Sequence, residues 1–90
     1  MYIDIDVHHG DGVEEAFYLS NRVCTVSFHE FGNGFFPGSG GLDSIGEGEG
    51  KYFKINVPLL QGMDDFTYIE LFKNLVGKTI EIFRPSVIVC

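Results

Sequence analysis

The chain has 90 residues, of which 44% are hydrophobic and 14% aromatic, and its formal net charge is -7. This length and apolar content fit one compact unit and exclude a disordered, low-complexity segment. Thirteen acidic against six basic residues argue against direct binding of nucleic acid, which needs clustered Lys and Arg. No apolar run approaches the roughly 18 residues of a membrane span, so no membrane association is predicted.

The first predicted element is a strand over Tyr2–His8, where apolar and polar residues alternate strictly. Because successive side chains of a strand point to opposite faces, Asp4, Asp6 and His8 are expected to share one side. Three groups that can bind a metal ion are thus predicted to line one face.

A turn and a short helix are predicted next. Gly10 and Gly12 end the strand pattern. Asp11, followed three residues later by Glu14, resembles a capping box with Asp in place of Ser or Thr. The helix is expected to reach about Tyr18.

Two further strands flank a long loop. Residues 23–29 are rich in β-branched and aromatic types and predict a second strand. Residues 30–50 are rich in glycine and predict a loop. Residues 52–57 alternate again and predict a third strand, which Pro58 is expected to close.

The last third of the chain predicts a long helix and a final strand. The helix should begin at the acidic pair Asp64-Asp65 and end at Arg84-Pro85. Residues 86–90 form a continuous apolar run, typical of a central parallel strand covered on both faces. The predicted apolar face of the long helix comprises Ile69, Phe72, Val76, Ile80 and Phe83.

The alternation of strands and helices predicts an α/β fold with a parallel sheet. Because both ends of the chain fall within predicted strands, the chain is expected to be part of a larger domain.

Asp6 and His8 are the first candidates for chemistry. A spacing of two along a strand places their backbones about 7 Å apart on one side, so both could reach one ion. Catalytic zinc uses such imidazole and carboxylate ligands and keeps one position open. Hydrogen-bonded polar residues at a strand end are the alternative interpretation of the bare pair. Inward carboxylates are costly without a cation or donors, and no Lys or Arg lies nearby in sequence.

A long stretch of the sequence resembles a known family. Residues 2–18, YIDIDVHHGDGVEEAFY, resemble the metal-site signature of class I histone deacetylases, within the arginase/deacetylase superfamily. The resemblance continues through RVCTVSFH at 22–29, GFFPGSG at 34–40 and NVPL at 56–59, and it covers essentially the whole chain. It implies that residues 1–90 are an internal fragment of a histone deacetylase catalytic domain. The implied fold is part of a parallel-sheet arginase/deacetylase-type domain with three α/β/α layers.

The resemblance also implies roles around a zinc ion. Asp6 and His8 would bind zinc through their side chains, so that zinc polarises an acetyl carbonyl and activates a water molecule. Asp4 and Asp11 would each orient one of two tandem histidines that lie outside the chain. For Asp11, a plain helix cap is the alternative, and both roles can coexist.

Two structural potassium sites are implied as well. The first would use Asp4 and Ser27 together with main-chain oxygens of Asp6, His8 and Phe28. The second would use only main-chain oxygens, those of Phe17, Ser20, Val23 and Phe53.

Phe36 resembles an aromatic wall of the tunnel that admits acetyl-lysine. A flat ring suits a neutral four-carbon stem, whereas the residues alone would favour an anchor in the core. Ser39, Gly41 and Glu30 stand where the class I pattern usually has Thr, Asp and Lys, so substrate preference is left open.

The implied function is zinc-dependent hydrolysis of the acetyl amide of N-ε-acetyl-lysine in histones or other proteins. Chromatin regulation, transcriptional repression, corepressor partners and a nuclear or cytoplasmic location would follow. One alternative is a prokaryotic deacetylase of the acetoin-utilisation type, which shares residues 27–30, although residues 13–18 favour the eukaryotic class. Another is a non-catalytic interaction fragment, because the tandem histidines, a third metal ligand and an oxyanion-binding tyrosine are not in the chain. The chain alone is expected to be inactive.

Overall fold

A computed structural model describes all of residues 1–90 and contains one sheet of three strands. Both strand pairs are parallel, and the spatial order follows the chain, so the predicted α/β class is confirmed. The elements are β1 (Tyr2–Asp4), α1 (Asp11–Ala16), β2 (Thr25–Glu30), a 3-10 turn (Gly48–Gly50), β3 (Lys54–Leu59) and α2 (Asp65–Phe83).

The middle strand β2 is buried on both faces. On one face the ring of Phe28 lies 5.5 Å from the ring of Tyr68 and 5.3 Å from that of Phe72, both in α2. On the other face Ser27 and His29 point toward α1 and the glycine-rich loop, where both are buried. The sheet therefore lies between two layers, which is why residues of either polarity along β2 are inaccessible to solvent.

Helix α2 begins and ends where the sequence predicts. The carboxylate of Asp64 caps it by accepting a hydrogen bond of 2.7 Å from the amide of Thr67, and Arg84 ends it in a left-handed conformation. Val76 is buried against the sheet, but Ile69 and Ile80 are exposed. Tyr68, Leu71 and Leu75 pack on the core instead, so the packed face is rotated relative to the predicted one. Neither helix is long and apolar enough to cross a membrane.

Strand β1 is shorter than predicted and ends at Asp4. The amide of Asp6 donates to Oδ1 of Asp4 at 3.0 Å, and the amide of His8 donates to Oδ1 of Asp6 at 2.8 Å. Because side-chain oxygens take these backbone donors, the chain turns instead of extending the sheet. Asp6 and His8 consequently lie beyond the carboxyl end of β1, where ligand sites of α/β sheets are found.

The predicted capping box is wrong. The N-cap of α1 is Gly10, which makes no side-chain cap hydrogen bond, and Asp11 is the first helical residue. Oδ1 of Asp11 accepts a hydrogen bond of 2.8 Å from the amide of Gly12. Glu14 is buried, and its carboxylate accepts hydrogen bonds from Ser44 and Asn56. It therefore does not reach back to the N-terminus of the helix.

Pro58 was predicted to close the third strand, and this prediction is wrong. The residue lies inside the strand, in register with His29. Strand β3 is an edge strand, and proline is tolerated there because its missing N–H is not needed for pairing.

The final apolar run lies beside β1, at the edge of the sheet opposite β3. Val89 forms a parallel bridge with Tyr2, and the amide of Ile3 donates to the carbonyl of Val89 at 2.8 Å. Parallel pairing is as predicted, and Val89 is half exposed within these 90 residues. Its burial on both faces in a larger domain stays a prediction.

Candidate metal centre

Asp6 and His8 form the centre of the candidate site. Nδ1 of His8 lies 3.3 Å from Oδ1 of Asp6, and both side chains are open to solvent. Two ligands of a tetrahedral zinc ion, each about 2.1 Å from the metal, stand about 3.4 Å apart. The pair therefore fits zinc without a change of backbone. The chain contains no group of three His, Cys, Asp or Glu placed to share one ion, so Asp6 and His8 would be only part of such a site.

Asp4 supports this pair from the end of β1. Its Oδ1 holds the amide of Asp6, and its Oδ2 accepts a hydrogen bond of 2.9 Å from the hydroxyl of Tyr2. That hydrogen bond raises the pKa of Tyr2 above its usual value. Gly10 packs directly on the carboxylate, since a Cβ at this position would overlap Oδ2 of Asp4. Asp4 thus fixes the turn that presents Asp6.

Two residues of the predicted first potassium site lie side by side in the sheet. Asp4 and Ser27 are register partners across β1 and β2. None of the chain's loop hydrogen bonds ends on the main-chain oxygens of Asp6 or His8, which leaves both oxygens available. A carboxylate, a hydroxyl and carbonyl oxygens are ligands that hard cations prefer, so the potassium site stays a prediction that these contacts leave open.

The residues of the second potassium site do not fit an added ion. Nζ of Lys54 lies 2.9 Å from the carbonyl oxygens of Ser20 and Val23 and 3.2 Å from that of Phe53. The carbonyl of Phe17, the remaining member of the set, accepts the amide of Ser20 at 3.0 Å. An ammonium already satisfies three of the four oxygens, and it would repel a second cation there.

A chain of hydrogen bonds joins the turn after β1, which presents Asp6 and His8, to the glycine-rich loop. The amide of Gly10 donates to Oγ of Ser27 at 3.2 Å, and Oγ lies 2.9 Å from Nδ1 of His29. Nε2 of His29 lies 2.8 Å from the carbonyl of Gly40. Burial lowers the pKa of His29, which favours the neutral ring. With a carbonyl at Nε2, that nitrogen carries the proton and Nδ1 accepts from the serine hydroxyl.

A second buried network starts from His9, which the sequence analysis did not single out. Nε2 of His9 pairs with the carboxylate of Glu14, and its Nδ1 lies 2.7 Å from Oγ of Ser39. Oγ of Ser44 and Nδ2 of Asn56 donate to the same carboxylate at 2.6 and 3.2 Å. A buried carboxylate needs such donors, and through them it ties α1 to the middle of the glycine-rich loop and to β3.

The glycine-rich loop places Phe36 beside the metal pair. The ring of Phe36 meets that of His8 edge-on at 5.7 Å, and the Phe35 ring lies 5.1 Å from His8. Phe36 is 73% exposed, so it is not an anchor in the core. Its role as a tunnel wall stays a prediction.

Gly40 is expected to be intolerant of a side chain. It has a φ of +89°, and a Cβ would overlap Nε2 of His29 and lie 2.7 Å from the ring of His9. Gly40→Ala should destabilise the protein by about 1–3 kcal/mol, since backbone strain and overpacking both act. Gly32→Ala is the matched control, because Gly32 has a φ of +106° with open space around it. Equal melting temperatures for the two variants would contradict the packing described.

Comparison with known proteins places the chain in a family. A sequence model of the histone deacetylase domain matches residues 1–90. Histone deacetylase 9 of Arabidopsis thaliana is 60% identical over 89 residues, histone deacetylase B of Dictyostelium discoideum 58%, and histone deacetylase 1 of Homo sapiens 56%. These alignments cover 99% of the chain but only 21%, 21% and 18% of those proteins. The chain belongs to the histone deacetylase family and spans about a fifth of the length of these relatives, which confirms the resemblance.

Proposed function

We propose that the protein to which this chain belongs is a zinc-dependent lysine deacetylase. The observation that carries the proposal is the 3.3 Å separation of Asp6 Oδ1 and His8 Nδ1 at the open end of a parallel sheet. Family membership over the whole chain supports it.

Each group at the site has a separate task under this proposal. Asp6 and His8 hold the metal, which supplies a Lewis acid for the acetyl carbonyl and an activated water molecule when it is bound. Asp4 holds the turn of Asp6, and the exposed Asp11 would orient a histidine outside the chain. The exposed ring of Phe36 stands beside His8, where an apolar lysine stem would pass.

The substrate class we propose is acetylated lysine in histone tails or other proteins. Relatives from plants, an amoeba and human carry the name histone deacetylase, which favours the eukaryotic class over the acetoin-utilisation type. Transcriptional repression with corepressor proteins, in the nucleus or the cytoplasm, belongs to the same proposal. The net charge of -7 suits a basic partner such as a lysine-rich tail.

Metal removal from the full-length protein tests the proposed chemistry. Chelation should abolish release of acetate from an acetyl-lysine peptide, and stoichiometric Zn²⁺ should restore it, because ligands alone do not activate water. A peptide with unmodified lysine serves as the blank. Unchanged turnover after verified loss of zinc would contradict the proposal, and absence of turnover in the zinc-loaded protein would favour the non-catalytic alternative.

A further inference from the structure

The side chain of Lys54 is buried in an unusual environment. The residue is 1% exposed, and its ammonium lies within hydrogen-bond distance of three main-chain oxygens, those of Ser20, Val23 and Phe53. No Asp or Glu forms an ion pair with it. An ammonium group has three N–H donors, and here each has one carbonyl acceptor. All hydrogen-bond acceptors of the ammonium are therefore main-chain oxygens.

Burial of an ammonium costs free energy unless it is offset by a need of the surrounding carbonyl oxygens for a cation. Loss of solvent lowers the pKa of Lys54, as expected for an ammonium removed from water. A neutral amine has two N–H donors and would leave one carbonyl without a donor. The three oxygens come from two separate places, the turn after α1 and the residue before β3. Without a shared cation, their partial negative charges would repel each other across this junction.

We propose that the ammonium of Lys54 is a built-in substitute for a metal cation, so that the junction between the α1 turn and β3 binds no potassium. The oxygens of Ser20, Val23 and Phe53 are members of the set that the family resemblance assigns to a second ion. An ammonium and a potassium ion carry the same charge and have similar size. Lys54 supplies that charge covalently, at a fixed position and without dependence on salt. Removal of the ammonium should turn the junction into a monovalent cation site.

Lys54→Ala and Lys54→Met in the full-length protein separate charge from volume. Alanine opens space for an ion, whereas methionine fills most of the space of the lysine stem without a charge. Lys51→Ala is the matched control, since Lys51 is the neighbouring exposed lysine. Melting temperatures are measured in potassium chloride and in tetramethylammonium chloride at equal ionic strength. Any ion bound at Asp4 and Ser27 is common to all variants and cancels in the comparison.

The expected results differ among the variants. Potassium should raise the melting temperature of Lys54→Ala by a few degrees more than that of the unsubstituted full-length protein, the parent. The melting temperature of Lys51→Ala should respond to potassium as that of the parent does. Lys54→Met should melt below the parent in both salts, because its carbonyls remain unpaired and the ion is excluded. A potassium response of Lys54→Ala equal to that of the parent would overturn the proposal.

Thallium(I), a potassium analogue with strong anomalous scattering, gives a direct test that does not depend on the variants folding. Crystals of the parent soaked in thallium acetate should show no thallium at the oxygens of Ser20, Val23 and Phe53. Thallium bound there in the parent would overturn the proposal, and its appearance only in Lys54→Ala would support it. Neither readout uses deacetylation, so the result is independent of the proposed function.

Discussion

Replacing Asp6 or His8 with alanine is expected to remove most of the bound zinc from the full-length protein and nearly all of its deacetylase activity. Changing a residue that only supports a metal ligand typically lowers metal affinity or activity by about 10- to 100-fold. Loss of a ligand itself should therefore lower them by more than about 100-fold. The melting temperature should change much less than the activity, because both side chains are open to solvent and neither belongs to the core. Zinc content, turnover of an acetyl-lysine peptide and thermal melting are measured together.

Glu15→Ala is the matched control for Asp6→Ala. Glu15 is an exposed acidic residue on α1, and its removal changes the net charge by the same amount without touching the site. We expect normal zinc content and activity from this variant. An Asp6→Ala or His8→Ala protein that keeps stoichiometric zinc and the parental rate would refute the metal assignment.

Phe36→Ala is expected to lower kcat/KM for acetyl-lysine peptides by about tenfold while the protein melts close to the parent. A tenfold change corresponds to about 1.4 kcal/mol of lost contact between the ring and the substrate stem. Stability should be nearly unchanged, since Phe36 is 73% exposed and lies outside the core cluster.

Phe28→Ala provides the opposite case in the same chain. Phe28 is 1% exposed and contacts the rings of Tyr68 and Phe72, so its loss should cost about 3–5 kcal/mol of stability. The two phenylalanines thus separate a binding role from a packing role. A large drop in melting temperature for Phe36→Ala, or an unchanged kcat/KM, would count against the predicted tunnel wall.

The elements were predictable from sequence where local signals agree with tertiary packing. Helix α2 begins at the cap Asp64 and ends at Arg84 because the acidic start and the following proline act locally. The predicted bounds of strands β2 and β3 lie within two residues of those observed, since their apolar patterns match a sheet packed on α2. The end of β1 was missed because alternation alone does not show that Asp4 and Asp6 accept the backbone amides of their neighbours.

The proximity of Asp6 and His8 was also predictable, since residues two positions apart remain close in any extended or turned backbone. Their separation of 3.3 Å, by contrast, depends on the turn beyond β1. The adjacency of Asp4 and Ser27 depends on strand register, and the sequence suggested it only through the family resemblance.

The parallel α/β class, the family and the residue types after β1 could be predicted from the sequence, because they follow from local pattern and residue identity. The partners of groups distant in the chain became known only from the fold. It joined Glu14 to Asn56 across 42 positions and brought Lys54 to Ser20 across 34. The physical reason is that a buried polar group must find donors or acceptors wherever the fold provides them, and sequence spacing does not carry that information. An added potassium ion at Ser20, Val23 and Phe53 was therefore expected from resemblance, whereas the fold places the ammonium of Lys54 on those oxygens.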